Sequence, residues 1–203
     1  MFTKNSLLYF LKTAQAVLFD LDGTLFVLPV DWAHIRRHFF EYYKKTYGKS
    51  LEANRFYEIF DFVRKTQGDM AVEYFYRYVQ EKELEGVLNN SATPKWLVSH
   101  GLDLIRQEIP PTTLLGVVSS NYHQTIVTVL AKNGLSGLFH TVLGRDDVKV
   151  SKPCPEGLLE IISKNNLQPD LVLFTGDDWV DEEAARAAKI QFIYVQDLEK
   201  ILR

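Results

Sequence analysis

Ala16-Val17-Leu18-Phe19-Asp20-Leu21-Asp22-Gly23-Thr24-Leu25-Phe26 is the stretch whose reading decides the fold. Its first four residues form a short apolar run of the kind that fills a buried parallel strand. The run ends in two carboxylates, Asp20 and Asp22, followed by Gly23, which supplies a turn that a Cβ would resist. Side chains two apart on an extended chain share a face, so Asp20 and Asp22 are expected to meet one ligand. Open α/β sheets bind ligands at the carboxyl ends of their strands. Acids placed there are costly unless a cation or a reaction uses them. The pair reads as a site.

Working outward, Asp31 is a candidate helix N-cap, and Trp32, Ile35, Phe39, Tyr42 or Tyr43, and Tyr47 follow at helical spacing up to Gly48. Phe56, Ile59, Phe60 and Val63 make a second stripe that ends at Gly68, and Ala71, Tyr74, Phe75, Tyr78 and Val79 make a third. Gly86 and Asn89-Asn90-Ser91 are expected to punctuate a loop. Nothing between Pro29 and Asn90 reads as a strand. More than half of the chain's aromatic residues fall between Trp32 and Tyr78, as the core of a small helical unit requires.

Thr93-Pro94 reads as a cap and first helical position opening a helix towards Ile109. Beyond it the pattern alternates: strand Leu114–Ser119, helix Tyr122–Asn133, strand Thr141–Leu143 and a helix from Pro155 to about Asn165. Strand Leu171–Thr175, helix Val180–Lys189, strand Phe192–Val195 and a terminal helix from Asp197 complete it. This order predicts an α/β protein, a doubly wound parallel sheet. The core is expected at 1–28 and 91–203, with 29–90 as an inserted all-helical cap.

Composition sets the outer bounds. The formal charge of −3 and the lack of a basic run argue against nucleic acid. No apolar run approaches the roughly 20 residues of a membrane span. Ser6–Leu11 behind Lys4 is short for a signal segment and reads as an amphipathic lead-in beside the first strand. Cys154 is the chain's only cysteine, which suits a reducing, cytoplasmic setting and a filler role.

Three further stretches carry chemistry. Leu115–Asn121 is an apolar strand ending in hydroxyls and an amide ahead of a helix, where an anion finds N–H donors. Ser119 and Ser120 compete for that contact. Lys149-Val150-Ser151-Lys152-Pro153-Cys154-Pro155-Glu156 places a lysine on a loop braced by prolines. The Pro-x-Pro context favours Lys152 over Lys149. Phe174-Thr175-Gly176-Asp177-Asp178-Trp179-Val180-Asp181-Glu182-Glu183 is again an apolar strand ending in acids; hard oxygen donors of this kind suit Mg²⁺.

Together these stretches resemble the four motifs of the haloacid dehalogenase superfamily, in the family's order. Asp20–Thr24 matches its Asp-x-Asp-Gly-Thr, Leu115–Asn121 its second motif, Lys152–Pro155 its Lys-Pro-x-Pro form, and Gly176–Asp181 its Gly-Asp-x-x-x-Asp. The third motif is that of the phosphoglycolate-phosphatase-like branch, which carries a helical cap after the first. The resemblance implies a Mg²⁺-dependent phosphatase acting on a small phosphorylated metabolite, without nucleic acid or membrane. It implies Asp20 as nucleophile, Asp22 as acid and base, and Lys152 as the neutralising cation. Ser120, Asn121 and Gly23 would hold phosphate, and Asp20, Asp22 (through its backbone carbonyl), Asp177 and Asp181 the metal. Two departures stand out. Asp178 replaces a usual Ser or Thr, and Lys189 follows Ala187-Ala188 where a glycine commonly closes the helix.

Other readings share the core. A sugar-phosphate mutase or a phosphonatase would use the same sheet, the latter with a cap lysine such as Lys44, Lys45 or Lys49. A phosphoacceptor receiver domain or a catalytically silent binding protein would come from another class. A lid over the strand ends is expected to set specificity, with Arg36, Arg37, Arg55 and Arg64 as candidates for a second anionic group.

Overall fold

The computed structural model describes residues 2–203. The chain divides into two compact units, Met1–Leu28 with Ser91–Arg203, and Pro29–Asn90. The first opens with helix α1 (Lys4–Leu11). Thr3 caps it, its Oγ1 accepting from Ser6 N at 3.2 Å while Ser6 Oγ accepts from Thr3 N at 2.8 Å. Leu7 and Leu11 are its buried face. Strand β1 (Ala16–Phe19) follows, and all four of its residues are fully buried.

The second unit holds α2 (Trp32–Tyr47), α3 (Phe56–Gln67) and α4 (Asp69–Asn89), with a two-residue strand β2 (Phe26–Val27) lying before it in the first unit. Asp31 caps α2, its Oδ1 accepting from His34 N at 2.8 Å. Phe39 anchors the core of the three helices, edge-on to Phe75 at 4.6 Å and to Phe60 at 6.3 Å. Gly86 lies inside α4, not in a loop. A Cβ there would approach Pro29 O to 2.6 Å, so the glycine marks a close backbone approach and not a break.

The first unit resumes with β3 (Thr93–Pro94), then a π-turn at Leu97–Gly101 and α5 (Leu102–Glu108). Thr93 and Pro94 therefore form a strand, where the sequence reads as a helix cap. They pair antiparallel with β2, Phe26 opposite Pro94 and Val27 opposite Thr93. Proline lacks an N–H, and a short edge ribbon tolerates that loss.

The remaining elements are β4 (Leu114–Val118), α6 (His123–Lys132), β5 (Thr141–Leu143), α7 (Glu156–Lys164), β6 (Val172–Gly176), α8 (Trp179–Ala188), β7 (Gln191–Tyr194) and α9 (Val195–Leu202). Five strands form one parallel sheet in the order β5-β4-β1-β6-β7. β1 is central, with the later strands laid out on either side of it. That is the doubly wound arrangement, and its crevice opens where the order reverses, at the carboxyl end of β1. Ala16 and Leu18 pack on one face with Val118, Leu158, Phe174 and Ala185. On the other face Phe19 meets Phe139 edge-on at 6.2 Å.

α8 ends on Lys189 at φ 59°, ψ 36°, a left-handed residue, with Ile190 N donating to Ala185 O at 3.1 Å. The helix closes as a glycine would close it, but with a Cβ in place. Lys189→Gly removes that strain and is expected to raise stability by about 0.5–1 kcal/mol after glycine's larger entropy loss. The urea midpoint reads this out; an unchanged or lower midpoint would show the backbone to be relaxed.

Candidate active site

The sheet brings its chemistry together at the carboxyl ends of β1, β4 and β6. Asp20 continues the β1 ladder by one residue, donating its N–H to Thr175 O at 2.9 Å. After Asp20 the chain leaves the extended conformation. Thr24, Leu25 and Phe26 all donate to Leu21 O, and Gly23 N donates to Phe26 O at 2.7 Å. The half-buried Asp22 carboxylate accepts from Leu28 N at 2.9 Å.

Asp177 follows β6 and Asp181 lies in the first turn of α8. Carboxylate oxygens of Asp20, Asp177 and Asp181 all fall within 4.8 Å of one another. Lys152 enters from the loop before α7. Its Nζ donates to Asp20 Oδ1 at 2.7 Å and to Asp181 Oδ1 at 2.5 Å, and it lies 5.3 Å from the centre of the Phe174 ring. Asp181 Oδ2 accepts from the N–H groups of Asp177 and Asp178, both at 3.2 Å. Asp20, Lys152 and Asp181 are buried.

Two residues of the Asp-Gly-Thr turn shape this cluster. Thr24, fully buried, donates from Oγ1 to Asp177 Oδ1 at 3.4 Å. Gly23, at φ +86°, leaves room for Asp177, since a Cβ would stand 2.2 Å from Asp177 Oδ2. Thr24 stands within the opening motif, but nothing in the sequence pairs it with a residue so far along the chain. Asp178 is not part of the cluster. It caps α8, its Oδ1 accepting from Trp179 N at 2.7 Å, as Ser or Thr would at that position.

Burial is the first influence on Asp20, pushing its carboxyl from 3.8 up to about 7; Lys152 opposes the rise and Asp181 adds to it. Asp177 is likewise pushed up to about 6, by burial and by Asp181, against Lys152 and Lys95. Burial works against the charge on Lys152, but Asp181 and Asp20 outweigh it and raise its pKa. Three carboxylates thus share one ammonium. With Lys152 charged and all three acids ionised, two negative charges remain uncompensated in a buried cluster of oxygen donors. That donor set fits a hard divalent cation.

Ser119 is buried, its Oγ donating to Asn121 Oδ1 at 3.0 Å and accepting from Asn121 N at 3.3 Å. Ser120 is half-buried beside it. Both serines and Asn121 lie at the carboxyl end of β4. Cys154 is a half-buried free thiol lining a small recess with Ser119 and Lys152. Among the arginines, Arg64 is engaged by Asp69 at 3.1 Å and Tyr76 OH at 2.8 Å, and Arg36 lies over the Phe56 ring at 5.5 Å.

Residues 17–195 match the family of haloacid dehalogenase-like hydrolases, and the chain belongs to that family. It is similar to the pyrophosphatase PpaX of Bacillus velezensis, 27% identical over 182 residues, which cover 87% of this chain and 81% of the relative. A phosphoglycolate phosphatase of Salmonella choleraesuis is 36% identical over 74 residues, 36% of this chain and 29% of its own length.

Among solved structures, CbbY of Rhodobacter sphaeroides in complex with xylulose-(1,5)bisphosphate has a TM-score of 0.64 at 16% identity, covering 89% of this chain and 85% of that one. A subfamily IA hydrolase of the superfamily from Geobacter sulfurreducens has a TM-score of 0.55 at 20% identity, covering 95% and 98%. These establish the fold as that of the family. No helix among the described residues is long and apolar enough to cross a membrane.

Asp20's raised pKa has a sign that can be checked. A carboxyl whose folded pKa lies above its unfolded value stabilises fully below the unfolded pKa, 3.8, and loses that contribution as pH rises through about 7. In chelator, the wild type should therefore lose more stability than Asp20→Asn between about pH 5 and about pH 8. Urea unfolding measures it; equal losses would mean that Asp20 is ionised throughout.

Proposed function

We propose that this chain is a Mg²⁺-dependent phosphatase that hydrolyses a small-molecule phosphate monoester through an aspartyl-phosphate on Asp20. The observation that carries the reading is the position of Asp20. It sits at the end of the central strand, bonded to the Lys152 ammonium and beside the Asp177–Asp181 oxygen cluster.

A carboxylate nucleophile and a phosphate ester are both anionic, so positive charge must neutralise both before they meet. Lys152 supplies one positive charge where Asp20 needs it. Asp20 and Asp177, with Asp181 and the Asp22 carbonyl in support, would hold Mg²⁺, which would supply the charge that neutralises the phosphoryl oxygens. An Asp20 oxygen attacks phosphorus, the P–O bond to the leaving group breaks, and Asp22 gives that oxygen its proton. Asp22 then takes a proton from the water that cleaves the acyl phosphate, which regenerates Asp20 and releases inorganic phosphate. Ser120 and Asn121 hold the phosphoryl oxygens. Substrate preference is assigned to the helical unit, Pro29–Asn90.

PpaX is named a pyrophosphatase and the Salmonella relative a phosphoglycolate phosphatase, so pyrophosphate and phosphoglycolate both belong in the substrate panel with sugar mono- and bisphosphates. Phosphate release should require Mg²⁺ and vanish in chelator. Asp20→Asn should reduce it to background, and Asp22→Asn should lower kcat by roughly 10²–10⁴-fold. Turnover that persists in Asp20→Asn, or that ignores chelator, would overturn the aspartyl-phosphate reading. Stable incorporation of phosphate at Asp20 without release would favour a phosphoacceptor.

A further inference from the structure

The loop after β4, Ser119–His123, is gripped by the turn after β5. Arg145 donates to it twice, from its backbone N to Asn121 O at 2.9 Å and from its Nε to Ser120 O at 2.9 Å. Its guanidinium carbon also lies 5.8 Å from the centre of the Tyr122 ring. Further out, Asp146 Oδ1 accepts from His123 N at 2.7 Å, and Asp147 Oδ2 lies 2.7 Å from both His123 Nδ1 and Gly144 N. The backbones come so close that a Cβ on Gly144 would stand 2.4 Å from His123 N.

In a trans peptide the C=O and the following N–H point in opposite directions. Holding the carbonyls of Ser120 and Asn121 towards Arg145 therefore turns the N–H groups of Asn121 and Tyr122 the other way. The Asn121 N–H turns inward to Ser119 Oγ, as its 3.3 Å contact shows. Carbonyl oxygens repel an anion, whereas N–H groups and hydroxyls attract one. Which side of these two peptides faces a phosphoryl group thus decides whether the loop binds or repels it.

We propose that Arg145 is a positioning residue for the phosphoryl site: it keeps both carbonyl oxygens of the Ser120–Asn121 segment turned away from the anion. The proposal rests on the reading of Ser120 and Asn121 as phosphate-binding residues. Arg145 acts through the loop and not by touching substrate. Its backbone bond survives replacement by alanine or lysine, so these variants change only side-chain contacts, among them the Nε–H bond to Ser120 O and the approach to the Tyr122 ring. The outer His123–Asp147 pair is partly exposed, at 41% and 30% of its side chains, and such pairs contribute little. The Arg145 side chain is the inner fastening.

The test is calorimetric binding of inorganic phosphate with Mg²⁺, beside kcat/KM on the best ester found, for wild type, Arg145→Ala and Arg145→Lys. Lysine keeps the charge and most of the stem but lacks the planar fork that reaches Ser120 O, and it keeps the test valid if the alanine variant misfolds. Both variants should bind phosphate at least ~10-fold more weakly, with kcat/KM falling by a similar factor. Millimolar guanidinium should restore part of the loss in Arg145→Ala and none in the wild type. Phosphate binding within twofold of wild type, whatever the change in Tm, would overturn the proposal. A wild type that binds phosphate through Arg145 yet releases none from any ester would support it while overturning the phosphatase mechanism. A wild type that binds no phosphate would overturn both.

Discussion

Lys152 holds two carboxylates at once, and the geometry of the site depends on that shared ammonium. Asp20 comes from the end of β1 and Asp181 from the first turn of α8, so the lysine ties the central strand to a helix far along the chain. Buried like charges at this separation repel strongly, and in a low-dielectric interior they persist only where opposite charge stands between them. Lys152 neutralises one of the three acids. The remaining negative charge on a set of buried oxygen donors is what a hard divalent cation suits. The cluster is stable enough to be built into the fold and incomplete enough to bind.

The sheet makes that arrangement possible. Because β1 lies between β4 and β6, the residues that follow all three strands converge on one edge. Asp20, Ser119 and Asp177 each stand one residue beyond the last residue of their strand, and each is placed by the strand's length. Parallel strands need crossover helices, and these helices cover the sheet faces with apolar side chains. The polar groups are left at the edge that the helices do not cover.

Much of this was legible in the sequence because apolar runs ending in acids are rare and local. Asp20, Lys152, Asp177 and Asp181 could each be found within ten residues of quoted chain, and the structure brings all four together. The failures share a cause. Strand alternation relates Asp20 to Asp22 only while the chain is extended, and a turn closed on Leu21 O follows Asp20. Gly86 looked like a break because its reason, the carbonyl of Pro29, lies far away in sequence. Thr93-Pro94 carried the residues of a helix start, and only the presence of β2 makes them a strand. Thr24, though part of the opening motif, carries no signal for its partner, and Arg145 carries no local signal. Their importance comes from partners about 150 and 25 residues away.

The β2–β3 ribbon, a mere two pairs long, has a consequence for how such chains diversify. Everything between Val27 and Thr93 departs from one strand and returns on the other, and paired strands stand about 5 Å apart. An inserted segment must therefore satisfy a single boundary condition: its two ends must come that close. Loop-closure entropy grows only logarithmically with length, so a longer or shorter helical module meets the condition almost equally well. The registers of the five-stranded sheet lie outside this boundary and need not be re-optimised when the module changes. The ribbon works as a docking port in the genetic sense, a place where one catalytic edge accepts new modules without relearning its chemistry.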